Sequence, residues 1–453
     1  MRRTVQEQQK LVPIPVEHPH AAELAEMSRI LDDHPEVYEL VLEDLIAGGI
    51  DPDNGREGMP ADQVLRILII KQMNRFSYEL LAFHVMDSDC YRSFCHVGYD
   101  QRLDGDTLQR NLKKVRAETL EAINRVILKE AKVRRVEGGR KVRTDCTVEE
   151  TNIHEPSDST LLFDVVRVLA RLMRKGKEAG YDIETIDHTR RAKRRMLEIQ
   201  HAKDSEGREK LYRELVKLTE ETIDDAVRAI PSLDNPPLSL DLDAVLLGLA
   251  LTTDLEHFIP LGRHVVLQTK RRVFWNEKVP ASEKLVSIFE PHTDIIIKDR
   301  RETLFGHKIC LTTGKSGMVL DCVVLDGNPA DSTLVTETIE RQRSIFGRVP
   351  DQTTFDGGFA SEANRAAAKA MGVTDVMFHK KRGLKVSDMV KSTWVYKRLR
   401  RFRAGIEGNI SFLKRCFGMR RCTWCSLESF KAYTWASVLS ANLLILARHA
   451  LAG

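Results

Sequence analysis

With 453 residues, 42% of them hydrophobic and 30% charged, the chain has room for two or three domains with real cores, which excludes a disordered polymer. Eight scattered cysteines lack the rhythm of a disulfide scaffold and no secretory leader pattern opens the sequence, so a reducing cytoplasm is the expected home. The uncharged run 432–447 is short and carries Thr434, Ser437, Ser440 and Asn442, so a buried helix is expected there and no membrane partner.

Residues 1 to about 55 read as a helical lead-in that ends in a loop at 51–55. Pro60 suits a first helical position, and Val64, Leu65, Leu68, Ile69 and Met73 recur at helical spacing. Ser77 fits the cap of a short helix buried through Leu80, Leu81 and Val85, with a third segment at 91–96. Asp106 with Gln109 resembles a capping box that opens one long helix through Leu108, Leu112, Val115, Ile123 and Ile127. Short helices with tight turns fit a helix-turn-helix reader of DNA and fit plain helical packing equally.

A Gly138-Gly139 turn precedes a strand at 141–148 that contains Asp145. From 160 to about 230 the pattern is helical and charge-rich, with Leu161, Val165, Val168, Leu169 and Leu172 on one side. Leu211, Leu215, Leu218 and Ile223 mark a second stretch. Together they predict a helical insertion, a hairpin of long helices running through Pro236-Pro237 to about 290. Strands return at 295–297 and 304–312, and a Gly314–Gly317 turn leads into another at 318–325. A helix over 331–346, a strand ending at Asp356-Gly357-Gly358, a helix over 361–371 and a strand over 373–378 follow, and the last third is helical. That order resembles the RNase H arrangement. The predicted fold class is α/β, an RNase H-like mixed sheet with a helical insertion after the first strand, plus an N-terminal helical domain.

Residues 380–421 hold fourteen Lys/Arg against two acids, Asp388 and Glu407, a local net of +12; the rest of the chain must carry −8 to reach the total of +4. A carboxylate in such a field stays ionised, and beside a polyanion's binding surface it is where a divalent metal belongs. Asp145 within a strand and Asp356 at a strand end before two glycines complete a set of hard oxygen ligands. Asp145, Asp356 and Glu407 are therefore the candidate catalytic and metal-binding residues, for two Mg²⁺ or Mn²⁺ ions acting on a phosphodiester. On a helix, Arg400, Arg403, Glu407 and Lys414 share a face beside an apolar stripe of Phe402, Ile406, Ile410, Leu413 and Phe417. Arg400, Arg403 and Lys414 are read as DNA-positioning cations, with Lys308 as a further phosphate contact.

These motifs, in this order, resemble the DDE transposases of bacterial insertion sequences. Thr144-Asp145 through His154, then Pro156 to Ser159, is similar to their first-acid region. Phe305-Gly306-His307-Lys308 and Val324 to Ser332 resemble their hairpin and helix start, and Phe355 to Phe359 their second-acid strand. Arg403, Glu407 and Lys414 match their third-acid helix, and 66–95 looks like their N-terminal helical region. The likeness is strongest to the group called ISNCY and covers about 56 to 450. One position departs: the signature's Tyr three residues before the Arg is Arg400 here. The resemblance implies cleavage at transposon ends, strand transfer into target double-stranded DNA, and a homo-oligomer of at least two copies. Other readings are a non-catalytic protein that binds inverted repeats and a hydrolytic nuclease without transfer. The implied domains are a lead-in at 1–55, a helix-turn-helix-like DNA-binding region at 56–135, a catalytic domain at 136–425 with its insertion at about 160–290, and a closing helix at 426–453.

Weaker signals remain. Cys422-Thr-Trp-Cys425 lacks a fourth soft ligand for zinc and reads as a pair of thiols. Arg190 to Arg195 is a basic patch that fits DNA or a solvated face. Strand alternation puts Glu149 on the same side as Asp145, as a support for it.

Overall fold

The computed structural model describes residues 17–49, 58–298, 302–379 and 383–453. The loop expected at 51–55 and the cations Lys380, Lys381 and Arg382 lie outside the described residues. Among the described residues seven helices come first: α1 (Pro19–Asp32), α2 (Glu36–Leu45), α3 (Ala61–Asn74), α4 (Tyr78–Asp87), α5 (Asp89–Phe94), α6 (Gly105–Leu112) and α7 (Ala117–Val133). Ser77 caps α4 by accepting the Leu80 N–H. Leu80 itself is exposed, so the buried side of α4 is Leu81, Ala82 and Val85. The one long helix expected from Asp106 is two. Asp104 rather than Asp106 caps α6, accepting the Thr107 N–H. The chain then restarts because buried Asp44 accepts both the backbone N–H and the Nε–H of Arg116, just before α7.

Strand β1 (Lys141–Glu150) follows, and then the insertion. It is four helices, not a hairpin: α8 (Asp158–Glu178), α9 (Thr189–His201), α10 (Ser205–Asp234) and α11 (Leu242–Thr269). Pro236-Pro237 does separate α10 from α11, but Asp204 and Asp241 supply caps that divide the region further. The Arg190–Arg195 patch lies on α9, where Arg195 pairs with Glu214 and Glu198. Next come β2 (Asp294–Lys298), β3 (Glu302–Thr313), β4 (Val319–Val324), α12 (Val335–Phe346), β5 (Gln352–Phe355), α13 (Glu362–Ala370) and β6 (Asp375–Phe378). Helices α14 (Val386–Met389), α15 (Thr393–Cys416) and α16 (Leu427–Leu451) close the chain.

The chain forms two compact units. One comprises 1–149, 308–424 and 428–453. Its strands run β4-β3-β1-β5-β6, with β4 antiparallel to β3, β5 parallel to β1, and β6 parallel to β5. This is the RNase H-like mixed sheet that the element order predicted. Ile309, Leu311, Leu320 and Cys322 pack one core with the N-terminal helices and α16, whereas Cys310, Phe355 and Val376 belong to a second core with α12 and α13. Successive β3 residues thus serve opposite faces. Helix α16 is long and apolar enough to cross a membrane, yet 89% of its most apolar window is buried, so it is the interior helix expected. Helix α3 is likewise a core element, with Val64 to Ile70 withdrawn from water.

The other unit comprises 150–307 and 425–427. Its core is built by α8 to α11 through Leu161, Leu169, Leu215, Ile223 and Leu255. Helix α11 also has the length and apolarity of a span, and Leu242, Leu246 and Leu249 on it are exposed. Strand β2 pairs antiparallel with residues 302–306 of β3.

Candidate active site

Strand β1 carries Asp145 in its middle, β5 delivers Asp356 immediately after its last residue, and α15 carries Arg403 and Glu407 one turn apart. Ser392 caps α15 by accepting the Val395 N–H, and Ile406, Leu413 and the following Phe417 bury its apolar side. Phe402 and Ile410 of the same stripe are half-buried. Gly358 lets the Asp331 side chain come close just after Asp356: a Cβ there would stand 2.5 Å from Asp331 Oδ2.

The three candidate acids meet on one guanidinium. Arg403 Nη2 donates to Asp145 Oδ2 at 2.7 Å and lies 3.7 Å from Asp356 Oδ1. Its Nη1 donates to Glu407 Oε1 at 3.0 Å. Arg403 is only 8% exposed, although Glu407 keeps 69% of its side chain in water. Asp145 Oδ1 also accepts the Cys146 N–H. Burial raises the Asp145 carboxyl to about 6, against the pull of Arg403 and the Cys146 N–H, and the nearby charges of Asp356 and Asp331 add to the rise.

Lys308 of β3 sits beside this group with its Nζ 2.6 Å from Asp331 Oδ1 and 2.6 Å from the Pro329 carbonyl it donates to. Asp331 had been read only as the start of a helix. The Gly314–Gly317 turn announces the hairpin, but no local pattern says that the segment after it brings Asp331 near Asp145. Arg400 is exposed on α15 one turn before Arg403. Tyr396, a turn earlier again, donates to the Phe378 and His379 carbonyls at 3.2 Å each. Lys414 is half-buried, and its charge acts on Glu149. Glu149 is fully buried, takes a 2.8 Å hydrogen bond from the Thr434 hydroxyl at Oε2, and has its carboxyl pushed up to about 8 by burial.

A second arginine fixes the helix to the strand. Arg143, two residues before Asp145, donates to Thr313 Oγ1 at 2.9 Å, to the Phe402 carbonyl at 2.8 Å and to Asn409 Oδ1 at 2.7 Å. Its guanidinium lies over the Phe402 ring, 4.7 Å from the centroid. It fits because α15 has glycine opposite: a Cβ on Gly405 would stand 2.1 Å from Arg143 Nη1. Strand alternation alone gave no reason to single out Arg143.

Among the described residues no three His, Cys, Asp or Glu side chains stand ready-made as an ion cage. The donor chemistry nevertheless fits a divalent ion. Three carboxylates converge on a single cation, and an ion could replace that cation. None of the eight cysteines is in a disulfide. Cys422 is buried with its Sγ accepting the Trp424 N–H, and Cys425 is exposed.

No curated protein and no solved structure matches the chain. Residues 292–443, about a third of it, match the family model described as the transposase DDE domain. That span contains Asp356, Arg403 and Glu407 and supports a DDE transposase.

Proposed function

We propose that this protein is a DDE-type transposase that cuts double-stranded DNA at transposon ends and joins the released 3′ hydroxyl to target DNA. The observation that carries the reading is the meeting of Asp145, Asp356 and Glu407 around Arg403 on an RNase H-like sheet. Those three acids would hold two Mg²⁺ or Mn²⁺ ions, which when bound activate the attacking oxygen and stabilise the leaving one in an in-line displacement. The chain's own part is placement. Strand β1 and the end of β5 set two carboxylates on rigid backbone, and the Arg143 clamp sets the face of α15 that brings the third. Arg400, Arg403, Lys414 and Lys308 are assigned to phosphate contacts that orient the duplex without reading its sequence.

In the same reading, 56–135 serves DNA recognition, 136–425 is the catalytic domain with its insertion at about 160–290, and 426–453 is a closing helix. The chain acts in the cytoplasm as at least a dimer on terminal inverted repeats, in the manner of the ISNCY-like group. The test is Asp145→Asn on linear DNA bearing the element's ends. Mg²⁺-dependent nicking and joined products should fall by on the order of 10³-fold or more, with end binding largely retained. Undiminished cleavage by that variant would overturn the reading.

A further inference from the structure

Arg403 holds an oxygen of Asp145 and one of Glu407 in charge-assisted hydrogen bonds and stands close to Asp356. A divalent ion needs those oxygens at roughly 2.0–2.2 Å, where a guanidinium between them leaves no room. Ion and arginine therefore compete. The arginine's own bonding is incomplete, because its buried Nε–H has no acceptor among the described residues, and an orphaned buried donor is costly. A phosphate offers a guanidinium paired acceptors of its own geometry. Glu407 and the exposed Arg400 mark the open side of this group, so phosphate has an approach along α15.

We infer that Arg403 couples divalent-ion binding to DNA binding: it occupies the three acids until a DNA phosphate draws it away, so each ligand strengthens the other. This rests on the acids being the metal site, as proposed above. Reciprocity follows from linkage, since a residue that opposes one ligand and favours the other ties their affinities together.

The experiment is Mn²⁺ titration of the full chain, read by electron paramagnetic resonance of the free ion, with and without a non-specific duplex. In DNA-free protein, Arg403→Gln should bind Mn²⁺ about tenfold more tightly than the wild type. The factor by which duplex strengthens Mn²⁺ binding should be about tenfold smaller in Arg403→Gln than in the wild type. Arg403→Lys keeps a cation but not the forked contact, so it should fall between them; it also carries the test if Arg403→Gln does not fold. Arg400→Gln removes a cation of the same helix that is exposed, and should change DNA-free affinity less than about twofold. Equal gains from Arg400→Gln and Arg403→Gln, or unchanged or weaker Mn²⁺ binding by Arg403→Gln, would overturn the coupling. Asp145→Asn and Glu407→Gln separate this from the broader reading. If neither weakens Mn²⁺ binding, the metal site itself is misplaced; if both do while Arg403→Gln changes nothing, only the coupling fails.

Discussion

Asp145 and Glu149 lie four residues apart on β1, and their surroundings send them to different states. Burial pushes both carboxyls up, to about 6 and about 8. Asp145 has a guanidinium hydrogen-bonded to one oxygen and a backbone N–H on the other. Glu149 has one hydroxyl on Oε2, and its Oε1 has no hydrogen-bond partner among the described residues. Position on the strand is the same in kind for both. What separates a candidate ligand from a buried structural acid is the cation that α15 delivers to one and only presents at a distance, through Lys414, to the other.

Moving the helix is the strongest way to break that contrast. Gly405→Val puts atoms where the Arg143 guanidinium lies, and overpacking of this kind costs typically 1–3 kcal/mol. Displacing α15 takes Arg403 and Glu407 away from Asp145, so DNA cleavage should fall by at least about 10²-fold, as misplacement by an ångström does. Gly408, three residues on, faces open space. Gly408→Ala should leave cleavage unchanged and stabilise the helix by roughly 0.5–1 kcal/mol. Kinetics and thermal melts of the two variants side by side give the answer. Equal loss of cleavage from both would show that the Arg143 clamp has no special part.

Glu149→Gln sharpens the contrast from the other end. A carboxyl raised in the native state binds its proton more tightly there than in the unfolded chain. Its contribution is therefore fully present below the ordinary glutamate range and is lost as pH rises through about 8. Thr434, Tyr433, Cys322 and Lys414 surround it, and Lys414 supplies the opposing positive charge. Gln keeps the shape and removes the ionisation. The variant should melt a few degrees higher than the wild type at pH 8.5, with the gap closing toward pH 5. A gap that widens at low pH would mean that Glu149 is held as the anion.

The sheet was legible, and the three candidate acids could be picked out, because each rests on a local signal. Alternating strands bounded by Gly pairs located β1, β3, β4 and β5, and an acid inside or just after such a strand has few places to point. The insertion was less legible. Helix α11 carries leucines on its exposed side as well as its buried one, so no clean period marks its length. The caps of α6 and α7 were misread because Asp44 lies far upstream of the Arg116 it restrains. Arg403 and Arg400 share a face by spacing, and spacing alone does not say which of them reaches across to β1. Burial decides that, and burial belongs to the packing of Leu399 and Leu413 into the two cores of the sheet. Asp331 and Arg143 were missed for the same reason, since their partners lie far away in sequence.

The smallest effect belongs to Arg400, where the contrast between a buried and an exposed cation becomes a salt dependence. Arg400 is exposed and has no acceptor among the described residues, so a phosphate contact there would exchange only counterions. Arg400→Ala should lower the slope of log affinity against log salt by about 1 for duplex DNA, weakening binding to all sequences alike. Cleavage per bound complex should stay unchanged, because Arg400 touches none of the three acids. Arg403→Ala should alter both the slope and the metal dependence, since removing that guanidinium frees carboxylates as well as phosphate. If the two substitutions act identically on both, burial has no bearing on what these cations do, and α15 is merely a basic surface.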